Sequence, residues 1–341
     1  MKLSRENCSR KMDYSILFQN IINCNKSTML FLSRLLFIFL ALLAPYIACC
    51  QTNFATSKLV VLIEEPNKKI EEKLAPDELK IYYQEIEQYN ANLKKVIEQY
   101  WKIGVKPSFV DKVQFNKIVS DKTANTLVLI NSKYNFNYAD YSNYKLSNKL
   151  YKSKNEIVEN YSKKQLPYRA VILEIKKADM PPESASVANA AMPTLMQDEA
   201  ELVYAVKSLA LQLDYRIKGT TEVQLMKMYI KNAPHLKELT LLINQSDLDE
   251  NAKADIKNHY KFSYQLVSKD EIEKTILTAD KTKAICMVIP NPDGSFAFKV
   301  FDASSMEILG QTATIPPSEY YPELNDKIKV NHLEDFTHYC D

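Results

Sequence analysis

Side chains that bind metal ions are concentrated near the carboxyl terminus of the sequence. Imidazole, carboxylate and thiolate groups are all zinc ligands, and this tail supplies each of them, at His332, Glu334, Asp335, His338 and Cys340. Their spacing matches no closed zinc motif, and terminal segments are often poorly ordered. We therefore predict no metal ion and no cofactor for this chain.

A second acidic group imitates the beginning of a calcium-binding loop. Asp247, Asp249 and Asn251 stand at alternating positions, as in such a loop. Ala252 replaces the glycine of the sixth position, and Asn258 replaces the bidentate glutamate of the twelfth. Calcium loops need both the tight turn and the bidentate ligand. The acids are better explained as residues that cap the start of a helix.

Polar side chains follow two apolar runs that predict buried strands, at residues 59–63 and 239–243. In α/β sheets, ligands bind at the carboxyl ends of the strands. Glu199 and Glu201 add carboxylates near the start of another predicted helix, but the spacing of all these groups is typical of solvated charges. The candidate binding residues at the strand ends are Glu64, Glu65, Asn244 and Gln245.

Tyrosines and lysines crowd the segment 131–167. Exposed tyrosines beside cations can stack on sugars, on bases or on a partner protein. The same composition is also typical of a solvated polar loop. If the segment binds a partner, the residues expected to do so are Tyr138, Tyr141 and Tyr144.

Several common functions lack the residues they need. The sequence contains no serine-hydrolase elbow, no zinc-protease motif, no paired Cys-x-x-Cys motif and no nucleotide-binding fingerprint. Phosphate-cradling loops depend on closely spaced glycines, and the chain has only 4 glycines, none of them near another. A formal net charge of +2 gives no electrostatic reason to expect nucleic-acid binding.

The first 50 residues have the pattern of a signal peptide. Basic residues precede the apolar run 35–47, and Ala48 and Cys50 are small residues at the positions that a signal peptidase reads before Gln51. The alternative is a retained membrane anchor, but the apolar run is shorter than the roughly 20 residues that a membrane span needs. The pattern therefore predicts export to the periplasm or the cell exterior.

A lipid anchor is a further alternative for this leader. Residues 46–49, Tyr-Ile-Ala-Cys, resemble the lipobox of bacterial lipoproteins, although Tyr46 replaces the usual aliphatic residue. The resemblance implies that Cys49 would be lipidated and would tether the protein to a membrane surface. Beyond the leader, only Cys286 and Cys340 remain, which could pair in an oxidising compartment or stay buried and free.

The rest of the chain predicts the order strand, helix, strand, helix, strand twice, which indicates an internal repeat. The first set lies at 59–63, 77–102, 108–110, 112–120 and 126–130. The second set lies at 239–243, 249–260, 264–267, 269–277 and 286–289. In this alignment Leu59 corresponds to Leu239.

Each unit is expected to end in one more strand. The turn Asn-Pro-Asp-Gly at 291–294 leads to a closing strand at 296–301, and the first unit reaches its strand, 168–175, only after the insertion. Residues 180–189 resemble a linker, and 194–217 predict an amphipathic helix with a capping box at Thr194 and Gln197. Its apolar face is expected to pack against a sheet, and the tail after Pro316 is expected to be irregular.

Residues 300–309 carry a family resemblance. Asp302, Ala303, Glu307 and Leu309 are similar to the Asp-Ala-x-x-Gly-Glu-x-Leu turn that ends the amino-terminal domain of TolB and related envelope domains, with Met306 in place of the glycine. The similarity covers about residues 239–314, and the βαβαββ order is shared. It implies an envelope interaction module without an active site.

These patterns predict an α/β protein of two tandem βαβαββ units, with mixed sheets covered by helices and bridged by an amphipathic helix. The expected parts are a signal peptide (1–50), a first unit (51–178), a linker with the bridging helix (179–220) and a second unit with the tail (221–341). The predicted function is non-enzymatic binding of a protein or cell-surface polymer in the bacterial envelope. The alternative is a secreted hydrolase or other enzyme with a site at the strand ends.

Overall fold

Two five-stranded sheets form the frame of the molecule. The computed structural model describes residues 54–123, 125–135, 169–181, 183–194, 197–292, 295–314 and 326–340. The leader, most of the insertion and the turn residues Asp293 and Gly294 lie outside these ranges. The fold is mixed α/β, as predicted, and in the ranges described no helix combines the length and apolar character of a membrane span.

The first sheet has the strand order β2-β1-β3-β4-β5. β1 pairs in parallel with β2 and β3, and β4 and β5 extend the sheet antiparallel. Its strands are β1 (Lys58–Leu62), β2 (Val105–Val110), β3 (Thr126–Asn135), β4 (Arg169–Lys177) and β5 (Ala188–Ala191). Its helices are α1 (Lys68–Glu71), α2 (Pro76–Tyr100) and α3 (Lys112–Ser120). β1 is apolar throughout its centre because α2 packs on one face of the sheet and α3 on the other.

Helices α4 (Glu199–Ile217) and α5 (Glu222–Asn232) lead to the second sheet, which repeats the arrangement of the first as β7-β6-β8-β9-β10. Here β6 pairs in parallel with β7 and β8, and β9 and β10 are antiparallel. The strands are β6 (Thr240–Asn244), β7 (Tyr264–Val267), β8 (Lys283–Pro290), β9 (Phe296–Asp302) and β10 (Ile308–Ala313). The helices of this unit are α6 (Glu250–His259), α7 (Lys269–Thr278) and α8 (Val330–Thr337).

The two units are equivalent in strand order, but the predicted alignment of their first strands is wrong by two residues. Val61 pairs with Phe109, two residues before the N-cap of α3, and Ile243 pairs with Leu266, two residues before the N-cap of α7. Val61 therefore corresponds to Ile243 and not to Leu241. A uniformly apolar run contains no residue that marks its register, and a shift of two keeps each side chain on the same face.

Helix α4 bridges the two sheets, as predicted, but it is buried more completely than a single amphipathic face would allow. Every residue in the range 200–206 is buried. One apolar cluster joins this helix to β1, β3 and β4 of the first sheet and to α7, β8 and β9 of the second. The apolar surface of α4 is wider than expected because both sheets contribute to its packing.

The start of α4 also differs from the prediction. Asp198 is the N-cap, and its Oδ1 accepts a hydrogen bond from the backbone N–H of Glu201 at 2.9 Å. Gln197 has a left-handed φ of 50°, which ends any helical path from Thr194 to this helix. The predicted capping box is therefore wrong, and the hydroxyl of Thr194 instead donates to the Glu201 carboxylate at 2.7 Å.

Two segments that were expected to be irregular contain regular structure. Part of the predicted linker forms β5, and part of the tail forms α8. The alanine-rich β5 lacks the β-branched residues that indicate a strand, so only its pairing with β4 reveals it. The short α8 is held by tertiary packing, because Leu333 and Phe336 are buried in the core of the second unit.

Leu209 tests whether the core is continuous between the sheets. Its side chain is 0% exposed within the shared cluster. We expect Leu209→Ala to lower the free energy of unfolding by about 3 kcal/mol, because the substitution leaves a cavity. Urea unfolding of this variant can be monitored both by Trp101 fluorescence and by far-UV circular dichroism. The midpoints of the two unfolding curves should move together to a lower urea concentration.

The control for this substitution is Leu277→Ala, since the Leu277 side chain is 42% exposed on α7. It should change the stability by less than about 0.5 kcal/mol. If Leu209→Ala separates the fluorescence transition from the circular dichroism transition, the two sheets do not share a cooperative core.

Candidate functional site

The predicted site residues of the first unit are engaged in structural contacts. The backbone N–H of Glu64 donates to Asn90 Oδ1 at 2.9 Å, and Asn90 Nδ2 donates to the Glu64 carbonyl oxygen at 2.9 Å. The Glu64 carboxylate forms an ion pair with Lys133. Glu65 Oε1 accepts from the backbone N–H of Lys112, the first residue of α3, at 3.1 Å. Glu64 therefore anchors α2 through its backbone and β3 through its carboxylate, and the Glu65 carboxylate anchors α3.

A crevice of about 280 Å³ opens at the corresponding end of the second sheet. It lies beyond the carboxyl end of β6, on the side of β8. The chain runs from β6 to β7 on one side and returns to β8 on the other side, so the strand order reverses at β6. In α/β sheets, ligands bind where the strand order reverses. Asn244 lines the crevice, whereas Gln245 is not among the described residues that do so, and the binding role of both residues stays a prediction. Asn244 Nδ2 donates to Asp247 Oδ1 at 3.2 Å and so holds the Asp247 carboxylate at the crevice wall.

The strongest polar feature of the crevice comes from two helix starts, α4 and α7. The ammonium group of Lys269 lies 3.2 Å from Asp198 Oδ2, 3.4 Å from Glu201 Oε1 and 3.0 Å from Glu273 Oε1. Glu201, Lys269 and Glu273 all line the crevice. Glu201 is the most deeply placed of these groups, with 2% of its surface exposed.

The two oxygens of the Glu201 carboxyl group have different surroundings. Oε1 accepts from the Thr194 hydroxyl and contacts Lys269. Oε2 is buried and has no hydrogen-bond partner among the residues that the structure describes. Burial and the negative charge of Asp198 raise the pKa of Glu201 to about 7, although Lys269 and Thr194 oppose the shift. Near neutral pH this group exists in both its charged and its neutral form.

The remaining charges make the crevice acidic. Burial raises the pKa of Asp247, against the opposing effects of Lys327 and Asn244. Lys327 directs its ammonium to the Ser246 carbonyl oxygen at 2.7 Å. The ionisable carboxyl and ammonium groups that line the crevice are Glu201, Asp247, Glu273, Asp326, Lys269 and Lys327, so carboxyl groups outnumber ammonium groups.

Part of the crevice wall is apolar. Ile272 and Ile276 of α7 pack with Met287 of β8 in the shared core, and Val288 of β8 also lines the crevice. Cys286 also lines the crevice, and burial raises the pKa of its thiol well above the ordinary value. The site therefore combines charged groups with apolar wall residues, which is typical of sites for small organic molecules.

Sequence reasoning considered Glu201 but interpreted it as a solvated charge. Its burial could have been inferred from helical spacing, because Tyr204 and Ala205 follow it at the three- and four-residue intervals that share a helix face. Both of these residues are buried. Lys269 could not be associated with Glu201 in this way, since it meets Glu201 only when α7 packs against α4.

The metal-binding residue types of the tail have separate contacts. His332 stacks on Phe298 with ring centroids 4.4 Å apart, and Cys340 Sγ donates to the Ala233 carbonyl oxygen at 3.2 Å. Glu334 pairs with His259 at 2.7 Å, and Asp335 accepts from Thr312 at 2.8 Å. Within the ranges described, no group of three or more His, Cys, Asp or Glu residues is arranged to hold a metal ion, and Cys286 and Cys340 are both buried.

The other expectations have mixed outcomes. Asp249 is the N-cap of α6 and accepts from the backbone N–H of Ala252 at 2.6 Å, which confirms helix capping at the calcium-like sequence. Tyr138, Tyr141 and Tyr144 lie outside the described residues, so their binding role stays a prediction.

No family model, curated protein or solved structure matches the chain. The resemblance of residues 239–314 to the TolB amino-terminal domain therefore stays a prediction. At the position where that turn has glycine, Met306 adopts a left-handed φ of 62°.

Proposed function

We propose that the chain is an exported, non-enzymatic binding protein of the bacterial envelope, and that its ligand is held in the crevice beside Glu201. The observation that supports this most directly is the buried Glu201 Oε2 atom, which lacks a partner among the described residues. Buried polar atoms in proteins nearly always have a hydrogen-bond partner. A donor group on a bound ligand would supply one.

The state of the reactive groups favours binding over catalysis. A nucleophilic cysteine needs a lowered pKa, whereas burial raises the pKa of the Cys286 thiol. Burial alone would lower the pKa of Lys269, but Glu201, Glu273 and Asp198 outweigh it and raise the pKa above its ordinary value. The amine therefore stays protonated and acts as a fixed positive charge.

The export of this protein is a proposal that rests on residues 1–50. Their basic and apolar pattern supports a signal peptide, with the lipid anchor at Cys49 as the alternative. In the envelope the partner would be a protein or a cell-surface polymer. A crevice of about 280 Å³ is near the lower limit for a small-molecule site, and one side chain or substituent of such a partner fits this size.

An enzyme remains the second candidate because of Glu201. A carboxyl group with a pKa of about 7 is suited to donate a proton at neutral pH. Glu273 or Asp198, which both pair with the ammonium group of Lys269, would provide a second carboxylate. This pair of roles is the one that glycoside hydrolases use.

A fragment screen on the mature protein, residues 51–341, tests the proposed site. We expect fragments that bind to shift the amide NMR signals of Glu201, Asn244 and Met287. Val288→Trp should abolish these shifts by filling the crevice, because Val288 is half-buried in its wall. Val113→Trp, on the exposed surface of α3, is the matched control and should leave them unchanged.

Two outcomes would contradict the proposal. Fragments that bind only at other surfaces would exclude the crevice as the ligand site. Turnover of chromogenic glycosides or esters that is lost in Glu201→Gln but not in Glu199→Gln would establish the enzyme instead.

A further inference from the structure

The charges around the crevice indicate the sign of its ligand. The ammonium group of Lys269 is shared by three carboxylates, because Asp198, Glu201 and Glu273 all lie within 3.4 Å of it. Together with Lys327 it supplies two ammonium groups against four carboxyl groups in the crevice wall, so the carboxyl groups lack a full counter-charge. Opposite charges interact more strongly in a partly buried site than in water. A positively charged group is therefore favoured here over a neutral or a negative one.

The shape and chemistry of the wall indicate the rest of the ligand. Beside the carboxyl groups, Ile272, Ile276 and Met287 contribute apolar surface to the crevice wall. A ligand that carries a short hydrocarbon chain would remove this surface from water. An ammonium group supplies three N–H donors, which suits a site with an unpartnered Glu201 Oε2 atom among the described residues.

We propose that the crevice binds a primary ammonium group on a short apolar chain, with Glu201 accepting from the ammonium group and Ile276 and Met287 packing against the chain. This inference rests on the proposed function of the crevice as a ligand site. The same chemistry is found in free alkylamines and in the side chain of lysine in a peptide.

A matched set of probes tests the chemistry of the ligand. The probes are n-butylamine, n-butanol and butyrate, titrated into the mature protein at pH 8 and followed by amide NMR. We expect n-butylamine to bind at least about tenfold more tightly than n-butanol, because a hydrogen bond between charged groups is stronger than a neutral one. Butyrate should leave the crevice signals unchanged.

Two variants with the same change of charge separate Glu201 from its neighbourhood. Glu201→Gln should weaken n-butylamine binding at least about tenfold. Glu199→Gln should leave it unchanged, because Glu199 pairs with the exposed Lys95 and does not line the crevice. Equal weakening by both variants would overturn a specific role for Glu201.

The pH dependence of the wild-type protein gives a test that needs no variant. The groups that face Glu201 are Asp198 and Thr194 before α4 and Lys269 on α7. Lowering the pH from 8 to 5.5 should weaken n-butylamine binding, because the Glu201 carboxylate becomes protonated. Binding that stays constant over this range would overturn the inference.

The remaining outcomes distinguish this inference from the proposed function. Binding of n-butanol as tight as that of n-butylamine would overturn the ammonium ligand, while the crevice would remain a binding site. If n-butylamine does not shift the crevice signals, the inference fails, and the fragment screen decides the proposed function independently. A blocked lysine, Nα-acetyllysine methylamide, that binds at least about tenfold more tightly than n-butylamine would assign the ammonium to a peptide partner. Equal or weaker binding would assign it to a free amine.

Discussion

Replacing Glu201 with glutamine should make the protein more stable at pH 8, by up to about 3 kcal/mol. The pKa of this carboxyl group is about 7 in the folded protein, compared with an ordinary value of 4.5. Each unit of difference corresponds to about 1.4 kcal/mol. Glutamine keeps the shape of the side chain and an acceptor for Thr194, but it removes the cost of burying a negative charge.

The direction of the pH effect follows from proton linkage. Between pH 4.5 and 7 the folded protein binds more protons at Glu201 than the unfolded chain does. The stability associated with this group is therefore fully present below pH 4.5 and is lost as the pH rises through 7. Urea unfolding of the wild type and Glu201→Gln from pH 4.5 to 8 measures the difference. Equal pH slopes for the two proteins would contradict it, and Glu199→Gln should retain the wild-type slope.

Gly104→Ala should have the largest effect on stability, a loss of about 4 kcal/mol. Gly104 has a φ of +67°, and a Cβ atom placed on it would lie 2.1 Å from the carbonyl oxygen of Ser57. That oxygen also accepts a hydrogen bond from the backbone N–H of Val105 at 3.1 Å. The substitution must therefore displace backbone at the start of both β1 and β2, in addition to the cost of the left-handed conformation.

Gly219→Ala separates the steric contact with Ser57 from the cost of the left-handed backbone conformation. Gly219 has nearly the same φ, +69°, but a Cβ atom there would meet nothing within 4 Å. The free energy of unfolding of this control should fall by only about 1 kcal/mol, because only the backbone conformation is unfavourable. Thermal unfolding of both variants measures the difference. If the two variants lose a similar amount of stability, the close approach to Ser57 is not the reason why position 104 needs glycine.

The fold could be predicted where the sequence contains strong local signals. The apolar runs of β1 and β6 predict buried strands, and both strands are present. The long helix α2 has a clear helical periodicity, and it begins and ends within two residues of its predicted limits. Elements that depend on tertiary packing could not be predicted. β5 consists only of alanine and asparagine, which are not typical of strands, and α8 depends on burial of Leu333 and Phe336 in the core of the second unit.

The candidate site could be predicted only in part. Strand-end reasoning led to Asn244, which lines the crevice, but it led equally to Glu64, which forms an ion pair with Lys133. Both positions follow the same kind of strand, but the crevice beside Asn244 is also lined by residues of α4 and α7, which pack against each other. That packing brings Lys269 to Glu201 across more than sixty residues of chain, a distance over which local spacing carries no information.

The most direct test of the account is an NMR titration of the side-chain carboxyl carbon of Glu201 in the mature protein. We expect a midpoint near pH 7 in the free protein. Saturating n-butylamine should lower this midpoint, because a bound ammonium group stabilises the carboxylate. A midpoint close to 4.5, unchanged by the amine, would show that Glu201 is an ordinary solvated carboxylate and would contradict both the buried site and its proposed ligand.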